Sequence, residues 1–539
     1  MNRSSDINSY ISRLIVLVLL FSSCTMLQRR TPLMRSGDKL FLQGDYRDAA
    51  GVYEQVLVTE PANAKALYKA GISYMTFDKE KAAEYLYKAY NRDPLVDADI
   101  LFWLGRAEHI NYRFDKAIDL YQSYYEGLSR FNKQRKEEAL RLKEQAQNAK
   151  EAVASPKDIF VENLGKTVNT MYSEHSPVIS SDDNYLLFTT RSREVTGGEE
   201  AVDGEFFEDV FETTRNTDGT WGVPTPVSGA LNSPGHDASI QLFDNDTKML
   251  LYRASNGGDI YLSERQADGT WGAPKSISDQ VNSKFYESDA YITPDKNKLY
   301  FSTSQFSKGD NLDIYMVERQ PDGNWGEPRS LGDGINTPFD EDSPFLASDG
   351  SLYFSSRGHN TMGGYDIFVS KYDSVARQWG KPVNMGVPVN SPDDDIYYRL
   401  SHDGSYAYLS SYRIGGQGEK DIYTISYIRP AKIVGAVYSK QDSMAVAGID
   451  VKLSGTQANQ EEITFTATTN PDSGAFELTP LSGRSYKVEL LKDGKVIATE
   501  KMEVPMVLTD KDPIRKDFYI NTSSNTRLKS SKTTKDSRK

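Results

Sequence analysis

Cysteine is almost missing from this chain: Cys24 is the only one in 539 residues. An internal disulfide and a thiolate zinc cage are both excluded. Histidine is equally sparse, with five residues (His109, His175, His236, His359 and His402) scattered along the chain and no His-Glu-x-x-His pair. The sequence also lacks a Gly-x-Ser-x-Gly nucleophile elbow and a P-loop. Positive charge is in deficit, 63 Lys and Arg against 76 Asp and Glu, for a net charge of −13. Such a chain is a poor partner for nucleic acid, whose phosphates need basic neutralisation. Acidic pairs do occur, as Glu341-Asp342 and Asp393-Asp394-Asp395. They precede strands and read as turn residues rather than as calcium ligands. No catalytic, metal or cofactor site is expected, and the chain reads as non-enzymatic.

Long apolar runs are missing as well. Leu14 to Phe21 is apolar, with Arg3 and Arg13 before it. That stretch is too short to span a bilayer but suits the core of a signal peptide over residues 1–23. It leads into Ser22-Ser23-Cys24 and so resembles a bacterial lipoprotein signal, although Phe21 stands where Leu is usual. The resemblance implies lipidation of Cys24, a tether over 24–35 and anchoring in the membrane. Neither an Asp nor an acidic run follows Cys24. The resemblance therefore implies the periplasmic face of the outer membrane.

What the chain has in abundance is repetition. Gly37, Gly71 and Gly105 stand 34 residues apart, followed by small Ala49, Ala82 and Ala117 and then by large Tyr53, Leu86 and Tyr121. Pro61 and Pro94 close the first two units, since proline cannot continue a helix. The spacing is that of tetratricopeptide repeats, expected over 36–155 with a polar-faced capping helix from Arg130 to Ala154. Their concave face is expected to grip another protein; docking on the rest of this chain is the alternative.

A second period follows. Trp221, Trp271, Trp325 and Trp379 are each followed by Gly and, eleven residues after the Trp, by Asn232, Asn282, Asn336 and Asn390. Asp209-Val210-Phe211, Asp259-Ile260-Tyr261, Asp313-Ile314-Tyr315 and Asp366-Ile367-Phe368 precede the Trp residues by 12 or 13 positions. Seven residues after the Asn come Ser239, Asp289, Ser343 and Tyr397, each expected to open an apolar strand. Extending the register back to Asn169 and forward to Asp421 gives five units. The expectation is a five-bladed β-propeller over 158–428, with the Trp residues wedged between blades rather than offered to sugar. Asp218-Gly219-Thr220-Trp221 imitates a sialidase Asp-box but lacks the residue between Asp and Gly. The repeats resemble the PD40 (WD40-like) family.

From Ile433 the Trp register stops. Strands such as Ile433 to Tyr438 and Ser473 to Leu478 resemble the carboxypeptidase regulatory-like domain, implying a small β-sandwich over 430–520. Asn521 to Lys539 is basic, without aromatics, and expected to be disordered. The full order of parts resembles the PorE-like periplasmic lipoproteins of Bacteroidetes. That resemblance implies a scaffold linked to type IX secretion, with other envelope or secretion-system proteins as partners. The Asn-x-x-Leu-Ser-x-x-Arg-Ala segment of the OmpA-like domain usual in that family is missing, so peptidoglycan contact is expected only indirectly. The alternative is a glycan- or peptidoglycan-binding or envelope-sensing lipoprotein, using a propeller mouth lined by acids and aromatics.

Overall fold

The computed structural model describes residues 31–521 apart from 218, 308, 403, 405, 428–429, 457–461 and 506–512. Cys24, the signal segment and all but the first residue of the basic tail lie outside the described residues.

Among the described residues seven helices come first: α1 (Pro32–Gln43), α2 (Tyr46–Thr59), α3 (Ala64–Tyr74), α4 (Lys79–Arg92), α5 (Ile100–Ile110), α6 (Phe114–Gly127) and α7 (Lys133–Ala154). Their starts are fixed locally. Asp45, Asn63 and Asp78 each accept the backbone N–H three residues on, satisfying a donor that the helix leaves over. Gly44, at φ 86°, ends α1 in the left-handed conformation that favours glycine. Pro61 and Pro94 stand just beyond α2 and α4, as their chemistry requires. Each helix packs on the next in sequence, and α7 covers α6 through Ala139, Leu142 and Ala146. Among the described residues no helix is long and apolar enough to cross a membrane.

Strand β1 (Ile159–Asn163) is followed by five antiparallel sheets in sequence order. The first holds β2 (Glu174–Ile179), β3 (Tyr185–Thr190), β4 (Asp209–Thr214) and β5 (Thr225–Pro226). The second holds β6 (Asp237–Phe243), β7 (Lys248–Arg253), β8 (Asp259–Glu264) and β9 (Lys275–Ser276). The third holds β10 (Glu287–Ile292), β11 (Lys298–Thr303), β12 (Asp313–Glu318) and β13 (Arg329–Ser330). In the fourth are β14 (Glu341–Leu346), β15 (Ser351–Ser356), β16 (Asp366–Asp373), β17 (Gln378–Trp379) and β18 (Val383–Asn384). The fifth has β19 (Asp395–Leu400), β20 (Tyr406–Ser411) and β21 (Asp421–Tyr427), and its outer strand is β1.

The first strands touch in a closed circuit, β2 to β6 to β10 to β14 to β19 and back to β2. This gives the region a propeller-like organisation. Two features differ from the sequence reading. The first strands begin two residues earlier than Ser239, Asp289, Ser343 and Tyr397, at an acid in every sheet. At those expected starts each first strand carries a register shift, and Ser176, Ser343 and Tyr397 have φ between 50° and 61°. A bulge inserts one extra residue and bends the strand at this position. Short outer strands also follow the third strand in the first four sheets; two residues are too few to show alternation in a sequence.

The remaining strands form two sheets. One has β22 (Ile433–Ser439) paired with β25 (Ala475–Leu478), β28 (Ile514–Arg515) and β29 (Phe518–Ile520). The other runs in the order β24 (Glu462–Thr468), β23 (Asp450–Thr456), β26 (Arg484–Lys492), β27 (Lys495–Val504). A single apolar cluster, including Val437, Val451, Tyr486 and Phe518, draws on both. Gly435 is needed here, because a Cβ would lie 1.8 Å from the Lys516 carbonyl oxygen.

Candidate functional site

The helical repeat residues meet as the spacing predicts. A Cβ on Gly37 would lie 2.8 Å from Tyr53, on Gly71 2.7 Å from Leu86 and on Gly105 2.6 Å from Tyr121. Each glycine is thus the floor on which a large, fully buried residue of the second helix rests. Between α4 and α6 an open groove of about 700 Å³ is lined by Lys81, Tyr87, Glu108, Arg113 and Lys116, among others.

In the sheet repeats, the asparagine is a clamp. Asn282 Oδ1 accepts from Ile260 N at 2.9 Å, and its Nδ2 donates to Ile260 O at 2.7 Å. Asn232 treats Val210 the same way, Asn336 treats Ile314, and Asn390 treats Ile367. Asn169 reaches across 253 residues to Ile422, with both bonds at 2.9 Å. The register that placed Asn169 with the others therefore reflects one contact made five times. The next residue is Ser or Thr in all five sheets. In all five, a backbone N–H just after the Asn donates to the acid four positions later: Glu174, Asp237, Glu287, Glu341 or Asp395. Those acids end in buried hydrogen bonds and are framework.

The tryptophans sit between neighbouring sheets. The cluster around Trp221 combines Phe188 and Phe211 with Tyr406 and Tyr408, and that around Trp271 combines Leu187 and Val210 with Met249 and Leu251. Trp325 and Trp379 are placed likewise. Arg215, Arg265 and Arg319 lie over the Trp221, Trp271 and Trp325 rings at 4.3 to 4.9 Å. Trp379 instead meets Tyr372 edge-on at 5.4 Å.

The helical array docks on the ring. Its turn edge faces the loops before the first and third strands. Arg47 Nη2 donates to Met171 O at 3.1 Å and pairs with Glu419 at 3.0 Å. Lys79 pairs with Asp393 at 3.2 Å. His109 Nε2 donates to Met362 O at 2.8 Å, and burial pushes its pKa down to about 3. Phe114 and Ala149 close over Met362, while Gln145 and Asn148 donate to Thr361 at 2.7 and 3.0 Å. Helix α7 is therefore not only a cap: part of its polar face is this interface. No sequence signal announces these contacts, since each residue is single and unrepeated.

Inside the same rim, buried and half-buried side chains from the sheets converge. His175 stacks on Tyr397 at 5.6 Å, and Lys420 Nζ lies 5.6 Å from the Tyr397 ring centre and 5.4 Å from that of Tyr412. Tyr252 meets Tyr286 edge-on at 5.9 Å. The Tyr286 and Tyr397 hydroxyls share Asp342, Glu208 and Asp289 as electrostatic neighbours. Glu208 lies 3.2 Å from both His175 Nε2 and His236 Nδ1. Burial works against its carboxylate, but hydrogen bonds from the two histidines hold it well below the usual range. Burial, with Lys420 nearby, pushes His175 down to about 4, so this ring is neutral and donates. Below lies an ion pair across the axis: Arg399 Nη2 contacts both Asp289 oxygens at 2.9 Å, joining β19 to β10 past β14. Burial lifts the Asp289 pKa to about 7 although Arg399 opposes it.

Residues 35–95 and 78–134 match the tetratricopeptide repeat family. The tetratricopeptide array is thus the helical unit that docks on the ring. No curated protein matches the chain. Among solved structures, the catalytic domain of the Coprinopsis cinerea GH62 α-L-arabinofuranosidase is 11% identical, covers 50% of this chain and 98% of its own, and has a TM-score of 0.35. TolB from Acinetobacter baumannii is 14% identical, covering 53% and 70%, at 0.26. A Thermus thermophilus protein described as a putative glucose dehydrogenase is 11% identical, covering 50% and 99%, at 0.28. Likeness at these scores carries no inference of activity.

Proposed function

We propose that the protein is a non-enzymatic interaction scaffold, held by lipidated Cys24 on the periplasmic face of the outer membrane. In this reading residues 158–428 are a five-bladed propeller and 430–520 a small sandwich. The observation that carries it is the docked tetratricopeptide array. Its turn edge is spent on the ring, which fixes the array's direction, while the charged groove between α4 and α6 stays open to another protein. The order of parts supports a PorE-like role in type IX secretion.

The test is crosslinking in intact cells followed by mass spectrometry. Crosslinks from Lys81 or Lys116 to other envelope proteins are expected, and recovery of self-crosslinks alone would sink the scaffold. Cys24→Ala should move the protein from the membrane to the soluble fraction. Secretion of C-terminally sorted cargo should fall when the gene is deleted; unchanged secretion would remove the type IX link.

A further inference from the structure

The five sheet repeats agree where they hold the ring together and disagree where they face the funnel. The clamping Asn and the acid that accepts a backbone N–H four residues before it recur in every sheet. The residue before the third-strand Asp is instead Glu208, Gly258, Leu312, Tyr365 or Lys420. Framework is constant because packing fixes it; the funnel positions carry a different side chain in each sheet. We infer that this funnel is a binding site for a neutral saccharide.

Three observations carry the inference. First, the hydroxyls of Tyr252, Tyr286, Tyr397 and Tyr412 have no hydrogen bond among the described residues, although all but Tyr286 are half-buried. Each can both donate and accept, which is what a sugar hydroxyl requires of its partner. Second, both signs of charge line the same space. Lys420 makes no ion pair among the described residues and lies against the Tyr397 and Tyr412 rings, with Glu208, Asp394, Glu205 and Arg191 as its electrostatic neighbours. A ligand carrying net charge would gain from one and lose to the other. A neutral, polyhydroxylated ligand accepts from Lys420 and donates to Glu208 at once. Third, the Arg399–Asp289 pair, both side chains more than nine-tenths buried, crosses the axis beneath these groups. That pair links the third and fifth sheets past the fourth, so protein side chains occupy the axis at that level. Aromatic walls with a few fixed polar groups are the usual make-up of such sites. This inference is independent of the scaffold role, because it concerns the isolated chain.

The experiment uses the detergent-purified full chain on an array of neutral, acidic and amino-bearing oligosaccharides, with titration calorimetry on whatever is retained. Neutral oligosaccharides should be retained. Tyr286→Ala, at a residue 43% exposed, should weaken binding at least tenfold without changing the thermal midpoint. Tyr412→Phe removes only a hydroxyl and should weaken it several-fold. Retention of no neutral glycan, retention of charged glycans only, or neutral-glycan binding indifferent to both substitutions would each overturn the inference.

Discussion

Asn282 supplies, with one side chain, the partner that the N–H near the start of β8 would otherwise lack. Removing it strands the N–H of Ile260, which is fully buried, while the carbonyl keeps the bond it accepts from Ile277 N. Asn282→Ala should therefore cost about 1–3 kcal/mol, the usual penalty for leaving buried backbone groups unpaired, measured as a shift in the urea midpoint. Asn282→Asp keeps the acceptor but loses the donor, and should fall between wild type and Ala. The glycine positions act by volume. Tyr121 is fully buried and a Cβ on Gly105 would press on its ring at 2.6 Å. Gly105→Ala should cost about 1–3 kcal/mol through overpacking. Combining it with Tyr121→Leu should cost less than the two changes added, since contacting residues couple. Additive costs in the double mutant would refute the contact.

At the level of elements, the docking of α5, α6 and α7 onto the ring depends on a neutral His109. Its folded pKa of about 3 lies below the unfolded value of about 6.5. The unfolded chain therefore binds the proton first as pH falls. The stability gained from burying the neutral ring is complete above about pH 6.5 and drains away between there and pH 3, at up to about 1.4 kcal/mol per pH unit. Amide protection factors in α5 to α7, which divide out the intrinsic slowing of exchange in acid, should fall between pH 7 and pH 5, and His109→Gln should flatten that dependence. Exchange that is no slower in the variant's acid range than in wild type would count against it.

How much of these elements could be read beforehand follows from repetition. The Gly37, Gly71 and Gly105 contacts and the five Asn clamps were legible because the same packing problem recurs at fixed spacing. The docking surface was not: His109 meets Met362, and Gln145 meets Thr361, once each and over 200 residues apart. The funnel was half legible. Its tyrosines and acids are plain in the sequence, but the bulges at Ser176, Ser343 and Tyr397 are backbone events at ordinary residues.

At the level of the whole molecule, closure depends on β1, which supplies the outer edge of the last sheet from the segment just before the first sheet. Successive residues of a strand direct their N–H groups alternately toward and away from the partner. Of Phe160→Pro and Val161→Pro, then, one should be mild and the other should break the ladder to β21. The damaging one should bare the β21 edge and raise self-association on size-exclusion chromatography, as unpaired edges recruit other chains. Equal behaviour of the two would refute the pairing.

The closing strand also decides how the molecule bears force. Ile159 at the start of β1 lies opposite Tyr427 at the end of β21, so the chain enters and leaves the ring side by side. A pull between the helical array and the C-terminal sheets would peel these strands apart one hydrogen bond at a time instead of shearing them all together. The ring alone would be a weak mechanical link. Docking of the array through Lys79, His109 and Gln145 offers the load a second route that bypasses the seam. Tension on the molecule would therefore have to undock the helices before it could open the ring.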